Sequence, residues 1–141
     1  MNDDFEEIKR SSLLPFKKTK KRRIVFLGAP GVGKSAIITR FIQDIFVDYY
    51  NPTIEQVHKK NFNFQNDNIE LEILDYDGQT EYTIMNLNKF SHGINGYVLC
   101  YSIENLQSFE LINILFSKIS NFTIDVPKII VGNKSDLSIK R

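Results

Sequence analysis

The chain has 141 residues, a hydrophobic fraction of 42% and a formal net charge of +1 at pH 7. This length predicts one domain with enough apolar residues for a core. The near-neutral charge gives no overall basic field, so we expect no nucleic-acid partner. The chain has one cysteine, Cys100, which excludes an internal disulfide and favours a reducing compartment.

The first 21 residues are polar and lack a sustained period, so we expect a flexible extension at 1–21 and one domain at 22–141. An acidic stretch at 2–7 and a basic stretch from Lys17 to Arg23 precede or cross this boundary. For the basic stretch, a solvated extension is favoured over a membrane-surface or nuclear-targeting role. Asn2 excludes N-myristoylation, and the final SIKR is not a prenylation signal. We expect a cytoplasmic chain, with membrane association only in a longer form that carries a lipid anchor.

From Arg23 onward, short apolar runs alternate with segments of helical spacing. Strands are predicted at 23–27, 56–64, 69–73, 96–101 and 128–132, and helices at 34–45, 80–90 and 106–119. The turn residues QNDN between the second and third strands predict a hairpin. The apolar face of the last helix is predicted to be Leu106, Phe109, Ile112, Phe116 and Ile119. Strands that alternate with helices predict an α/β fold with a mostly parallel sheet covered by helices.

The segment GAPGVGKS, from Gly28 to Ser35, fits the pattern G-x-x-x-x-G-K-[ST] between a predicted strand and a predicted helix. Glycine lets successive backbone N–H groups turn toward phosphate oxygens, and the following helix directs its positive end at the same anion. Lys34 supplies a cation for the β- and γ-phosphates, and the Ser35 hydroxyl is an oxygen ligand for Mg²⁺. These features predict a loop that binds a nucleoside phosphate, and disfavour a glycine-rich turn without a ligand.

A second segment, DYDGQ, begins where a predicted strand ends. There the Asp75 carboxylate can hold Mg²⁺ through water, and the Gly78 backbone N–H can approach a γ-phosphate. Gln79 can orient an attacking water. In the company of a phosphate loop, these roles are favoured over a simple strand-end turn.

A third segment, GNKSD, follows the last predicted strand. Asp136 can accept two hydrogen bonds from the N1–H and 2-amino groups of guanine, and adenine offers neither donor. Asn133 is expected to bridge to the phosphate loop, and the stem of Lys134 to lie across the base. The segment therefore favours guanine over adenine nucleotides and disfavours an ATP-dependent kinase.

The ordered segments GAPGVGKS, YYNPTIEQ, DYDGQTEY and GNKSD resemble the Ras superfamily of small GTPases over about residues 23–138. The segments FVDYYNPTIE, EYTI and INGYVLCYSIENLQSFELI resemble its Ras, Rap and Rheb branch, and Rheb most. The resemblance implies a P-loop NTPase fold with a mostly parallel sheet, one antiparallel hairpin strand and helices on both faces. It implies a signalling switch that binds GTP or GDP with Mg²⁺ and slowly hydrolyses GTP to GDP and phosphate.

The resemblance also implies roles for individual residues. Thr53 would bind Mg²⁺ together with Ser35 and Asp75, and would sense the γ-phosphate. Gln79 would act in catalysis by positioning water, with Lys34 and Thr53 stabilising charge.

Other residues are implied to contact the nucleotide or partner proteins. Phe46 would pack on guanine and Asp48 would lie near the ribose. The full set implied at the nucleotide is Gly28, Pro30, Gly31, Val32, Gly33, Lys34, Ser35, Ala36, Phe46, Val47, Asp48, Tyr50, Pro52, Thr53, Gly78, Asn133, Lys134 and Asp136. Effectors would bind residues 50–58 and 78–85, and an exchange factor and a GTPase-activating protein would regulate the switch.

The sequence departs from the family pattern at several places. Pro30 lacks an N–H in the phosphate loop, and Gln56 alters the effector loop. Asp77 either places a carboxylate near the γ-phosphate and the metal or simply faces water. The last strand and helix of the family are missing after residue 141, which is expected to expose apolar residues of Arg23–Leu27 and its neighbours. Two alternatives stay open, a non-enzymatic interaction module and a non-functional truncated fragment.

Overall fold

The computed structural model describes residues 18–49, 51–52, 54–80, 87 and 89–140, with side chains described as far as Leu137. These residues form five strands, two α-helices and a terminal 3-10 helix. In chain order the elements are β1 (Thr19–Leu27), α1 (Lys34–Gln43), β2 (Glu55–Phe64), β3 (Asp67–Tyr76), β4 (Gly96–Ser102), α2 (Leu106–Phe122), β5 (Lys128–Asn133) and the 3-10 helix Ser135–Lys140.

The five strands form one sheet in the order β2-β3-β1-β4-β5. β2 is antiparallel to β3, and the other neighbouring pairs are parallel. Gln65 and Asn66 form the hairpin turn with φ of 47° and 68°, a left-handed conformation that two-residue hairpins favour. The predicted α/β fold, with a mostly parallel sheet and one antiparallel hairpin, is therefore confirmed.

Each face of the sheet carries its own buried cluster beneath a helix. On one face, α2 packs on β1 and β4 through Val25, Leu27, Tyr97, Leu99, Leu111, Ile112, Leu115 and Ile119. On the other face, Ile38 of α1 packs against Phe26, Leu71, Ile73, Val98 and Cys100. Burial raises the pKa of the Cys100 thiol to about 12, so this cysteine is an inert core residue. None of the described helices is long and apolar enough to cross a membrane.

Several element boundaries differ from the sequence prediction. β1 begins at Thr19, so residues 19–21, expected in the flexible extension, are paired with β3. α1 ends at Gln43 rather than at residue 45, because Asp44 takes a left-handed φ of 59° and its N–H caps the helix on the Arg40 carbonyl. The helix predicted at 80–90 lies mostly outside the described residues, as do residues 1–17 of the extension.

The buried face of α2 was predicted incorrectly. Ile112 and Ile119 are buried as expected, but Leu106, Phe109 and Phe116 are 70%, 41% and 42% exposed. The helix carries two adjacent apolar rows, and the row that packs on the sheet is Ser108, Leu111, Ile112, Leu115 and Ile119.

The expected exposure of the Arg23–Leu27 strand was also wrong for its apolar centre. Val25 and Leu27 are fully buried and Phe26 is 7% exposed, because α1 and α2 cover the two faces of β1. Exposed apolar side chains are found instead on the edge strand β5, where Ile129 and Ile130 are 56% and 50% exposed.

Candidate nucleotide-binding site

Three of the predicted site segments, the phosphate loop, DYDGQ and GNKSD, lie at the carboxyl ends of β1, β3 and β5. β1 lies at the centre of the sheet, between β3 and β4. The chain runs from β1 to β3 on one side and then crosses to β4 on the other, so β1 is the topological switch point. Ligands of open α/β sheets bind beyond such a point, and the phosphate loop follows β1 directly.

The loop between β1 and α1 depends on glycine at two tight contacts. Gly28 has φ 150°, and a Cβ there would lie 2.1 Å from the Cys100 carbonyl oxygen of β4. Gly33 has φ 100°, and a Cβ there would lie 2.2 Å from the Asn133 side-chain nitrogen. The sequence pattern predicted these glycines for ligand access, and the structure adds that they let neighbouring strands approach the loop.

The N-terminus of α1 has the features of an anion site. Gly33 is the N-cap, and as a glycine it makes no side-chain capping hydrogen bond to the first turn. The first turn carries no acidic residue. Because the first N–H groups of a helix lack partners within it and carry the positive end of its dipole, they are available to phosphate oxygens.

Backbone carbonyls of the phosphate loop hold the Lys34 side chain. Its ammonium donates to the Gly28 carbonyl at 2.9 Å and to the Ala29 carbonyl at 3.1 Å. The residue is 6% exposed, and this burial lowers the pKa of Lys34 despite the nearby charges of Asp75 and Asp77. An ammonium has three donors, and a phosphate would offset the cost of desolvating it.

Asp75 is a fully buried carboxylate at the carboxyl end of β3. Neither oxygen accepts a hydrogen bond of normal geometry from the described residues. Burial raises the pKa of Asp75, while the nearby Ser35 hydroxyl and the Lys34 charge oppose the rise. A buried carboxylate that lacks hydrogen bonds to both oxygens costs folding free energy unless a cation binds it. The Asp75 carboxylate and the Ser35 hydroxyl therefore fit Mg²⁺.

The described residues do not gather three or more His, Cys, Asp or Glu side chains into a metal cluster. A hard cation beside Asp75 and Ser35 would therefore depend on other oxygens, namely hydroxyl, water and phosphate. Mg²⁺ commonly binds in this way with one or two protein ligands. Thr53, the other predicted ligand, lies outside the described residues.

The segment after β3 packs directly on the phosphate loop. A Cβ at Gly78 would lie 2.2 Å from the Pro30 nitrogen, so glycine is required for this approach. The Asp77 side chain is exposed. The backbone N–H of Asp77 donates to the Ile54 carbonyl at 3.2 Å. Through these contacts the segment joins the phosphate loop to the chain that leads into β2.

Gln79 is 5% exposed and bonded to the base of the phosphate loop. Its Oε1 accepts from the Gly28 N–H at 2.8 Å, and its own N–H donates to the Gly28 carbonyl at 2.9 Å. Its Nε2 donates to the Asp77 carbonyl at 2.7 Å. In this conformation the side chain does not face the mouth of the loop, so its predicted role with water requires it to leave Gly28.

The GNKSD segment lies beside the same loop. The Asn133 Nδ2 donates to the Val32 carbonyl at 2.9 Å, which is the expected bridge to the phosphate loop. Lys134 takes a left-handed φ of 65°, and its ammonium lies 3.9 Å from the Glu104 carboxylate. Asp136 is exposed in the first turn of the 3-10 helix.

The predicted nucleotide contacts before β2 are largely exposed. Phe46 is 74% exposed, Asp48 is exposed and Val47 is half-buried. Pro52 is exposed, and Tyr50 lies outside the described residues. The remaining residues predicted at the nucleotide lie between β1 and α1 or in the first turn of α1, namely Gly31, Val32 and Ala36. Their contact with phosphate stays a prediction.

Tyr76, the residue after Asp75, makes a contact next to the candidate site that the sequence did not indicate. Its hydroxyl donates to the Glu55 carboxylate at 2.7 Å, and burial together with this bond raises the pKa of Tyr76 to about 12. The bond joins the end of β3 to the start of β2, beside Asp77. Only the pairing register, which places Glu55 opposite Tyr76, could have indicated it.

A phosphate loop at the switch point of a mostly parallel sheet, followed by a helix with an uncapped N-terminus, defines the P-loop class of proteins. Residues 23–141 match the model of the Ras family, and the chain belongs to that family.

Three relatives illustrate the similarity. The GTP-binding protein rhb1 of Schizosaccharomyces pombe is 46% identical over 86% of this chain and 66% of its own length. The GTP-binding protein Rheb of Homo sapiens is 37% identical over 88% of this chain and 68% of its own length. The GTP-binding protein Rheb homolog of Dictyostelium discoideum is 40% identical over 86% of this chain and 66% of its own length. The chain thus spans about two thirds of the length of these relatives, and its similarity to Rheb agrees with the sequence prediction.

Proposed function

We propose that this chain is a guanine-nucleotide-binding switch that hydrolyses GTP to GDP and phosphate. The observation that carries the proposal is the hydrogen bond from Asn133 to the Val32 carbonyl. This bond fixes the segment suited to guanine against the loop suited to phosphate, so one nucleotide can reach both. The names of the relatives, which describe GTP binding, support the same function.

In the proposed complex, the phosphates lie on the N–H groups of residues 28–36 and beside the Lys34 ammonium. Ser35 and Asp75 would hold Mg²⁺, with Thr53 as the family-implied third residue. Mg²⁺ would supply positive charge to the phosphate oxygens. Asp136 accepts the guanine donors, the Lys134 stem covers one side of the base, and the exposed Phe46 ring covers another.

Hydrolysis requires a rearrangement of Gln79. Phosphoryl transfer depends on positioning and on charge stabilisation rather than on a strong base. Gln79 must exchange its bonds to Gly28 for a bond to the attacking water, and Lys34 and Thr53 stabilise the developing charge. We infer that intrinsic hydrolysis is slow, because the structure shows Gln79 in the bonded and buried arrangement.

The switch would operate through the segment after β3. A γ-phosphate would bind the Gly78 N–H and shift the segment after β3. The hydrogen bond from the Asp77 backbone N–H to the Ile54 carbonyl would transmit this shift to the chain before β2. Effectors would read residues 50–58 and 78–85, where Ile54 and Val57 are 88% and 51% exposed. An exchange factor and a GTPase-activating protein would act on the same regions, and we propose a cytoplasmic location.

The test is an equilibrium titration of the purified chain with fluorescent GDP, GTP and ADP, with and without Mg²⁺. We expect Mg²⁺-sensitive binding of GDP and GTP. ADP should bind at least ~100-fold more weakly, because adenine would leave the desolvated Asp136 carboxylate without hydrogen-bond donors. Binding of ADP with equal affinity, or of no nucleotide by the folded chain, would contradict it.

Asp136→Asn provides a matched control for base recognition. Xanthine has a carbonyl where guanine has its 2-amino group, so an asparagine amide can donate where the carboxylate accepted. The variant should lose affinity for GDP and gain affinity for xanthosine diphosphate. An unchanged preference for GDP would show that Asp136 does not contact the base.

A second candidate function is a nucleotide-binding interaction module without hydrolysis. The bonds that hold Gln79 against Gly28 favour it, because a Gln79 that never leaves them cannot position water. Single-turnover phosphate release from the GTP complex separates the two functions. Release that slows at least ~10-fold in Gln79→Ala supports the hydrolytic switch, and no release from the wild type supports the module.

A further inference from the structure

The amino half of β1 has an open edge. β1 pairs with β3 from Thr19 to Phe26, but it pairs with β4 only from Ile24 to Leu27. Residues 19–23 therefore have a sheet neighbour on one side and none among the described strands on the other. This edge is at the opposite end of β1 from the phosphate loop.

The backbone direction along this edge follows from Arg23. Its N–H donates to the Asn95 Oδ1 at 2.8 Å, and its carbonyl accepts from the Asn95 N–H at 2.7 Å, so both groups face the β4 side. Because a strand alternates its backbone groups between its two neighbours, those of Thr19 and Lys21 face the same open side.

The backbone groups of Lys21 are poised for a partner. Its carbonyl accepts a hydrogen bond of 2.9 Å from the guanidinium of the adjacent Arg22, an exposed contact that another donor can replace. No described residue accepts from the Lys21 N–H. Asn95 occupies the place of a strand residue opposite Arg23, so a strand laid on this edge would begin where Asn95 ends.

The surroundings of the edge are basic. Five cations lie on or just before this part of β1, namely Lys18, Lys20, Lys21, Arg22 and Arg23, and Lys59 lies two strands away on β2. Three carboxylates oppose them: Asp67 lies 2.5 Å from Lys20, Glu70 lies 3.7 Å from Lys21, and Glu72 is shared by Arg23 and Lys59 at 2.7 and 3.2 Å. The Lys21 side chain is 80% exposed despite its long ion pair. Positive charge therefore remains in excess on the face of Lys20 and Arg22, and on the other face the loosely paired Lys21 ammonium stays exposed to a partner.

We propose that residues 19–23 bind an acidic, extended segment of a partner protein by strand addition. The partner's backbone pairs with Thr19 and Lys21 on the open edge, and its alternating carboxylates meet the cations on the two faces of β1. An anionic membrane would use the charges but leave the backbone edge unused, so a peptide strand fits more of the observations. The surface is separate from the nucleotide site, and a bound partner would leave that site free.

The test uses a fluorescein-labelled peptide of alternating glutamate and threonine, with fluorescence anisotropy as the readout at low and high salt. Lys21→Pro removes the open-edge N–H and spares the β3 ladder, because that N–H faces away from β3. Lys21→Ala is its matched control, since it removes the same charge and keeps the N–H. We expect Lys21→Pro to bind at least about fivefold more weakly than Lys21→Ala, the value of one hydrogen bond.

A second comparison does not depend on how Lys21→Pro folds. The same peptide with every backbone amide N-methylated keeps its carboxylates and loses its donors, and it should bind wild-type protein at least about fivefold more weakly. Equal binding of the two peptides would overturn strand addition and leave a contact made by charge alone. Absence of peptide binding by the wild type, with or without binding to vesicles of anionic phospholipid, would also overturn it.

Discussion

The two ends of β1 are held by different forces. At the carboxyl end, backbone atoms meet so closely that only glycine fits, as at Gly28 against the Cys100 carbonyl. At the amino end, exposed side chains such as Arg23 and Lys20 form ion pairs with carboxylates of β3. The loop end of β1 is therefore fixed by steric contacts that admit one residue type, whereas the amino end is held by charges that solvent and salt weaken.

The largest effect is expected from Gly28→Ala. The new Cβ would meet a backbone oxygen of β4 at 2.1 Å, so two central strands must separate. We expect a loss of about 3 kcal/mol or more in the free energy of unfolding, measured with urea. Gly31→Ala is the control, because nothing lies within 4 Å and only its φ of 73° opposes a side chain. It should cost about 1–2 kcal/mol, and equal losses in the two variants would refute the steric account.

Asp75→Asn should raise the free energy of unfolding, by less than Gly28→Ala lowers it. The substitution removes a buried charge that lacks full compensation, so without nucleotide and Mg²⁺ the variant should be more stable by about 1 kcal/mol or more at pH 7. It should also lose the Mg²⁺ sensitivity of nucleotide affinity.

The pH dependence of Asp75→Asn has a definite sign. The folded-state pKa of Asp75 is raised above its ordinary value of 3.8, so the folded protein retains a proton that the unfolded chain releases. The contribution of Asp75 to the free energy of unfolding of the wild type is therefore fully present below pH 3.8, and it is lost as pH rises through the raised pKa. The advantage of the variant should grow with pH over this window. A constant difference between the two proteins, measured by unfolding at several pH values, would contradict the assignment.

The smallest change in the free energy of unfolding is expected from Glu72→Gln, in β3 beside the amino half of β1. It breaks the pairs with Arg23 and Lys59, which lower the pKa of Glu72 through their hydrogen bonds. Because the partners are largely exposed, we expect a loss below about 1 kcal/mol that shrinks in high salt. Glu70→Gln, whose one pair spans 3.7 Å, should lose less. A salt-independent loss would indicate that Glu72 acts through packing instead.

The same contrast explains what the sequence could predict. The phosphate loop and the hairpin follow local rules of spacing and turn chemistry, so motif and context sufficed. The Asn133 bridge is a long-range contact that was expected from the GNKSD motif together with the phosphate loop. The start of β1 at Thr19 depends on cross-strand partners distant in the chain, which a polar local pattern conceals. The buried row of α2 was ambiguous because two apolar rows compete, and the sheet beneath the helix decides between them. The burial of Gln79 against Gly28 depends on the approach of Gly78 to Pro30, a tertiary contact without a local signal.

Hydrogen–deuterium exchange of the whole chain tests the nucleotide switch most directly, in three states: without nucleotide, with GDP and Mg²⁺, and with a non-hydrolysable GTP analogue and Mg²⁺. We expect slower exchange at 28–36 and 133–136 with either nucleotide. We expect a difference between the two nucleotides at 75–79 and no change at 19–23. Protection at 19–23, no protection at 28–36, or identical exchange at 75–79 in the two complexes would contradict a nucleotide switch at the carboxyl end of β1.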